Sequence, residues 1–524
     1  MKNLFSYIFF ICFLLPHQNL EAQEQTEVLC QVIDRVTKKP IVYATILLKG
    51  RKLGVISDED GNFRIPFRFK KQSDSLRISS IGYKTTEFAL AKMIEEEVNV
   101  LIIPPKIESL DEVTLVSDKN KTPKLSARKI IKNALEKIPL NYPKESFSYI
   151  AYYRDYQQLL DSTSPRLKHN GLDNKYINLN EGIIKVFDAG FDTNKLMDVS
   201  NQTAFYEFKI NQNFAIDSSL AVPYDNRDKK YLEGVIISPL GGNELNILNL
   251  TNAIRNFDRM SFSFVHVLNQ DFLSNHNFNL VQITYLDDTP IYEINFRLSA
   301  QKSGIYMAEG TIFVAKNSFA IHKLTYNLYE KEMRNHLYGV SMEYAPSGEH
   351  YYLNYITFNN SFDLKLEDYF KITDISYNFS SSYFRLSFNH PIDEKTLEPW
   401  SKNFKIDYKN QRLKIINVQM ADPKELKIIV PNMYIGDQST FGKNVRMKLK
   451  NIRDINGEII NDIPVLKVNQ FREIFVQEVF PKSKLDEDLI FVRKNAPLSF
   501  SKINSIKGQS HYWVNTPLKS TKRD

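Results

Sequence analysis

Between Val28 and Leu90 short apolar runs alternate with turns at Lys38-Lys39-Pro40, Lys49-Gly50, Asp58-Glu59-Asp60-Gly61 and Gly82. No other stretch narrows the fold as much. Short runs at this spacing, broken by Asp-Gly turns, predict a small antiparallel β-sandwich. Val28, Cys30 and Val32 alternate with polar neighbours, so Cys30 is expected to be a small buried hydrophobe rather than a reactive thiol. Glu97 to Ile103 reads as the last strand, stopped by Pro104-Pro105, which sets a first domain at residues 27–104. Asp58 to Asn62 has the look of a calcium loop, but it lacks the length and the closing glutamate of one. Turn chemistry accounts for it better: Gly takes a positive φ and Asp bonds nearby amides.

Composition extends the β reading to the rest of the chain. With 18 Gly against 28 Tyr and 35 Phe, the 524 residues favour pleated structure, on which flat rings pack well. That length allows three or four domains, and the 43% hydrophobic content excludes long disorder. The net charge of +7 is spread along the chain without a basic stripe, so no nucleic-acid partner is expected. Residues 1–23 read as a signal peptide. Lys2 precedes the apolar run Leu4 to Leu15, Pro16 breaks it, and Ala22 offers a cleavage site. The run is short for a membrane span, which needs about 20 residues, though a retained anchor is the alternative. Cys12 lacks the small neighbours of a lipidation site, and no later stretch reads as a membrane helix. Cleavage would leave Cys30 as the sole cysteine, so no internal disulfide is expected.

Several features of the first domain fall in a recognisable order: Val32-Ile33-Asp34, Pro40 with Ala44-Thr45-Ile46, Gly54 with Ser57-Asp58, Gly61-Asn62-Phe63, and Ile81-Gly82-Tyr83. This string resembles the carboxypeptidase regulatory-like domain, a transthyretin-like sandwich. In many members the segment corresponding to Ile107–Val116 hands over to an outer-membrane transporter barrel. Here no regular ten-residue lipid-facing alternation follows, which argues against a transporter.

Residues 105–146 read as a linker with a helix at 126–138, capped by Ser126, with a stripe of Ile130, Ile131, Ala134, Leu135 and Ile138. The basic residues on its other face read as solvated charge. Pro139 is expected to end it. With Asn141-Tyr142-Pro143 and Phe147 to Arg154, the segment resembles the hand-over found in bacterial envelope proteins.

Residues 147–380 form a series of strand-like runs with short links, which predict antiparallel meander neighbours in a central curved β domain. Among the runs are Gly182–Phe187, Ser261–Leu268, Pro290–Leu298, Ser318–Leu328 and Phe370–Phe379. Gly310 to Val314 with Phe319 to Leu324 resembles the hairpin of lipoprotein-carrier folds, whose curved sheet cups an apolar ligand. A helix at Gly242–Phe257 is expected to lie across such a cup. Tyr149, Tyr152, Tyr153 and Tyr156, like Tyr351, Tyr352 and Tyr355, read as half-buried strand aromatics before they read as a recognition platform.

From 383 to 468 the pattern shifts. Phe388-Asn389-His390-Pro391-Ile392-Asp393 and Asp454-Ile455-Asn456-Gly457-Glu458 resemble the opening and closing strands of bacterial immunoglobulin-like modules, with Glu458 where Asn is usual. Residues 469–524 read as a tail with one strand-like piece at Glu473–Phe480, loose over its last dozen residues. The fold class expected is mainly β: an N-terminal transthyretin-like sandwich, a central curved antiparallel sheet with a few helices, and a C-terminal Ig-like sandwich.

Chemistry is sparse. The nine histidines show no HExxH or i, i+4 pairing, and there is no P-loop, Gly-x-Gly-x-x-Gly or Gly-x-Ser-x-Gly stretch. In carboxypeptidases the regulatory-like sandwich is an appendage without catalytic residues. No catalytic, cofactor-binding or metal residue is therefore assigned, and no cofactor. Asp287-Asp288 and Glu95-Glu96-Glu97 read as surface carboxylates. The expectation is a non-enzymatic exported envelope protein, periplasmic or associated with the outer membrane. It would bind or scaffold a peptide, glycan, lipid or partner protein. The alternatives are a secreted hydrolase or hydrolase accessory subunit with its site in the central cup, and a transporter-associated relative without its barrel. The lining of the cup discriminates: convergent titratable groups favour an enzyme, an apolar lining a carrier.

Overall fold

In the N-terminal sandwich, strand β1 (Glu27–Asp34) turns Val28, Cys30, Val32 and Asp34 inward with strict period two. The computed structural model describes residues 27–50, 53–70, 75–95, 97–108, 125–159, 176–195, 197–214, 216, 244–257, 270–299, 306–330, 332, 336–365, 369–431, 441–463, 465–505 and 512–518. The signal segment, the strand expected at Ser261–Leu268, residues 109–124 of the hand-over and Lys519–Asp524 lie outside them. The chain divides into two compact units: Met1–Glu108 with Thr284–Thr289 and His511–Leu518, and the remainder.

In the first unit β1 lies between β4 (Asn62–Pro66) and β7 (Asn99–Ile103). The second sheet runs β3 (Gly54–Ile56), β2 (Thr45–Leu48), β5 (Ser75–Ser79), β6 (Thr86–Ala89), and β8 (Ile107–Glu108) follows β7 in the chain. One pairing departs from the all-antiparallel expectation: β7 runs parallel to β1, because the chain returns to the sheet only after crossing the second one. Gly61 takes φ +72° at its turn, and an added Cβ would meet the Val32 carbonyl at 2.5 Å. Asp58 closes that turn by accepting from the Asp60 and Asn62 amides, so the Asp-Gly motif is a turn. Cys30 is buried, and burial pushes its thiol well above the ordinary range.

Trp513, from the far end of the chain, is wholly buried in this same core and packs on Phe69 at 5.2 Å. The Asn515 side chain bridges the Arg64 amide and the Ile56 carbonyl, while Arg64 donates to the Thr516 and Pro517 carbonyls. The loose end expected from composition is here, over Tyr512–Leu518, an ordered core strap. Its polar composition hid two buried anchors.

The second unit is built on one large antiparallel sheet. In spatial order its strands are β11 (Gln202–Ile210), β10 (Ile177–Asp188), β9 (Phe147–Leu159), β25 (Val465–Pro481), β17 (His350–Lys365), β16 (His336–Ser347), β15 (Ile321–Glu330), β14 (Tyr306–Ala315), β13 (Thr289–Leu298) and β12 (His276–Leu286). The meander is as expected except at β25. This strand, assigned from sequence to the tail, inserts between β9 and β17, and it was obscured because its charges are buried in pairs.

The helix Ala127–Asn141 is capped by Ser126 accepting from Lys129 N–H, and its apolar stripe packs on one face of the sheet. It runs three residues past the expected end. Pro139 sits in the last turn, where Tyr142 N–H still reaches Ile138 O at 3.2 Å. Tyr142 then locks the helix end to β15, its hydroxyl donating to Ile321 O at 2.7 Å. The described part of the second helix is Leu245–Thr251, shorter than expected, and turns follow it to Phe257.

Between β17 and β25 a two-sheet sandwich is inserted. Its sheets are β18 (Ile372–Asn378), β19 (Tyr383–Phe388), β23 (Glu425–Ile429), β22 (Asn417–Asp422), and β21 (Gln411–Arg412), β20 (Phe404–Tyr408), β24 (Val445–Leu449). Phe384, Leu386, Ile406 and Leu426 share its core. The strand expected to close the central domain at Phe370–Phe379 instead pairs with β19, so the inserted module begins ahead of residue 383.

Candidate functional site

Register decides which side chains share a face. Tyr153, Ile474, Ile356, Met342, Leu324, Ile312 and Ile294 align across the large sheet, and all belong to the core beneath the helices. This is the face read from sequence as a cup. It is filled by the protein's own side chains: Tyr326 donates to Thr251 O and Tyr344 to Asn252 Oδ1, pulling the second helix down onto the sheet.

Three titratable groups meet at one end of that face. The Arg255 guanidinium grips Asp188 from Nε and Nη2, at 3.1 and 2.9 Å, and donates to Gly190 O and Thr193 O. Lys195 Nζ lies 2.9 Å from the same carboxylate. Burial would raise the Asp188 carboxyl, but Lys195 and Arg255 override it and hold the group well below the usual carboxylate range. Gly190 has φ +98°, and an added Cβ would sit 1.9 Å from Lys144 O, so only Gly lets the loop close around Arg255. The cavities beside this cluster measure about 40 and 20 Å³, room for a few waters rather than a ligand. Arg255 and Lys195 both bond Asp188, and Arg255 also bonds the loop carbonyls of Gly190 and Thr193, which is the chemistry of a clasp. No sequence motif marked these residues, because their convergence comes from separate elements.

The other face carries a polar row one residue out of step. Glu181, Arg154, Glu473, Thr357, Ser341, Thr325, Thr311 and Asn295 align across the strands, from β10 to β13. At the β9–β25 end the row is closed. Arg154 and Glu473 form an ion pair with both side chains at 0% exposure, and Arg154 also lies over the Phe475 ring at 4.9 Å. Glu181 beside them accepts from Tyr152 and Asn211. Both faces of the Tyr149–Tyr156 run are therefore buried, as strand aromatics.

Toward β12 the row opens. A trough of about 490 Å³ is lined by Asn277, Asn279, Asn295, Arg297, Glu309, Thr311, Thr325 and Asn327, with Phe278, Phe296 and Gly310 at its base. Thr311 donates to Asn295 at 2.8 Å, and Arg297 pairs with Glu309 at 3.2 Å. Gly310 holds β14 close to β15: an added Cβ would meet Thr325 O at 2.0 Å. Amide and hydroxyl side chains in parallel rows offer donors and acceptors to an extended polar ligand, and the flanking ion pair adds charge of both signs. The sequence reading assigned no site residue here, since Asn and Thr on an exposed strand face look like ordinary surface.

Residues 30–115 match the family model of the CarboxypepD_reg-like domain. This part of the chain is a CarboxypepD_reg-like domain. Over 85 residues the chain is 32% identical to the TonB-dependent receptor SusC of Bacteroides thetaiotaomicron, a match covering 16% of this chain and 8% of that receptor. Two solved structures align with 45% of the chain and 86% of their own length. They are a LolA superfamily protein of Nitrosomonas europaea (10% identity, TM-score 0.18) and a DUF1329 family protein of Desulfovibrio piger (8%, TM-score 0.18). At that score the likeness carries no weight for fold or function. Among the described residues no helix is long and apolar enough to cross a membrane.

Proposed function

We propose that this chain is an exported, non-enzymatic binding protein of the bacterial envelope. It takes an extended polar ligand, an oligosaccharide or a peptide, in the trough over β12–β15. The observation that carries this is the contrast between the two faces of one sheet. The face expected to cup an apolar ligand is covered by the helices Ala127–Asn141 and Leu245–Thr251, while a trough of about 490 Å³ lies on the opposite face among Asn and Thr side chains. That contrast favours a polar ligand over a lipid. It also favours binding over hydrolysis, since the convergent acid at Asp188 is held by two cations beside cavities of a few waters. The N-terminal domain, with its likeness to part of a TonB-dependent receptor, supports placement in the envelope, and the signal-like residues 1–23 support export. The test is equilibrium binding of oligosaccharide and peptide libraries to the full-length chain and to its Thr311→Ala/Asn327→Ala variant. Binding that the variant weakens at least tenfold is expected; equal binding by both proteins contradicts the trough.

A further inference from the structure

The inserted sandwich holds a cluster that neither the trough nor the clasp uses. His390, in the loop after β19, and Asp454 and Glu458, in the turn after β24, converge with their ligand atoms within 4.8 Å of one another. His390 Nδ1 lies 3.0 Å from Asp454 Oδ2 and 3.7 Å from Glu458 Oε2. Two ligand atoms held at zinc distances by one tetrahedral ion stand about 3.4 Å apart, so these separations bracket what a single ion requires. We propose that His390, Asp454 and Glu458 bind a divalent transition ion, Zn²⁺ by preference.

The surroundings fit such a site. The other oxygen of Asp454 accepts the Asn456 and Glu458 amides at 2.9 and 2.8 Å, which fixes the carboxylate and turns Oδ2 toward the imidazole. Orientation of a ligating carboxylate by backbone donors is the supporting shell that metal sites use. Backbone bonds from Ile455 to Pro391 and from Asp393 to Arg453 tie the two loops together, so the ligand atoms ride on a fixed frame. The His390 ring lies parallel to Phe370 at 6.2 Å. Asp454 is 0% exposed and Glu458 7%, whereas His390 at 17% leaves a route for the ion. A single Nδ1 hydrogen points to one acceptor at a time, whereas a dication attracts both carboxylates and offsets their mutual repulsion. Imidazole nitrogen with two carboxylates suits Zn²⁺ and disfavours Ca²⁺, which prefers oxygen throughout. Glu458 supplies the third ligand and the second of the two carboxylates. An ion here would pin the closing turn of the sandwich to its opening strand.

The experiment is Zn²⁺ uptake by the full-length chain after chelator treatment, with metal per chain measured by elemental analysis and affinity by calorimetry. Co²⁺ serves as the spectroscopic probe. One tight equivalent is expected, with a Co²⁺ spectrum carrying a nitrogen ligand and a thermal midpoint raised by the metal. His390→Gln and Glu458→Gln, which keep the turn's backbone hydrogen bonds, should each weaken uptake at least tenfold, and His336→Gln should leave it unchanged. Wild-type protein that takes up no Zn²⁺ overturns the proposal. So does uptake that neither His390→Gln nor Glu458→Gln changes.

Discussion

Glu244 and Asp188 show how burial and partners set a single residue's contribution. Burial pushes the Glu244 carboxyl up to about 7, although its Oε2 accepts the Leu498 amide at 2.7 Å. Its folded-state value therefore lies above its ordinary value of 4.5, and between the two the folded chain holds the extra proton. Stability should fall as pH rises across that window and level off above it, a loss of about 3 kcal/mol. Glu244→Gln should flatten this part of the pH profile, measured by urea unfolding at intervals from pH 4.5 to 8. Asp188 has the opposite sign. Lys195 and Arg255 hold it below the ordinary range, so its stabilisation is present at neutral pH and disappears on acidification. Asp188→Asn should cost about 3–5 kcal/mol, because it leaves two buried cations without their counter-ion. The same unfolding measurement reads it.

At the scale of elements, β25 and the strap Tyr512–Leu518 explain what the sequence withheld. β1, the helix from Ala127 and the hairpins of the large sheet were legible because periodicity and turn residues are local. β25 was not, since Arg472 and Glu473 look like surface charge until Asp155 and Arg154 arrive from more than 300 residues away. Breaking the buried Arg154–Glu473 pair by Glu473→Gln should destabilise the second unit by about 3–5 kcal/mol. Replacing both partners with apolar residues, Arg154→Met with Glu473→Leu, should recover most of that loss, which denaturant titration of the single and double variants would reveal. The strap was hidden for a related reason: one Trp and one Asn carry its anchorage inside a polar stretch. Trp513→Ala should cost the N-terminal sandwich about 3–5 kcal/mol, observed as earlier thermal unfolding of that unit. The trough was the least legible feature, because no one of its strands carries a signature and only cross-strand register assembles Asn295, Thr311, Thr325 and Asn327.

The whole molecule comprises a regulatory-like sandwich, a large sheet with one apolar and one polar face, and an inserted sandwich, and the binding proposal rests on the large sheet. The two faces of the large sheet make opposite predictions about what it holds. An apolar cup would retain lipid through purification; a polar trough would exchange oligosaccharide or peptide with solvent. Binding of labelled oligosaccharide, peptide and phospholipid to the full-length chain, compared in one titration series with Thr311→Ala/Asn327→Ala, separates them. Saturable binding of a polar ligand that the double variant weakens at least tenfold is the predicted result. Saturable phospholipid binding unaffected by that variant would contradict it.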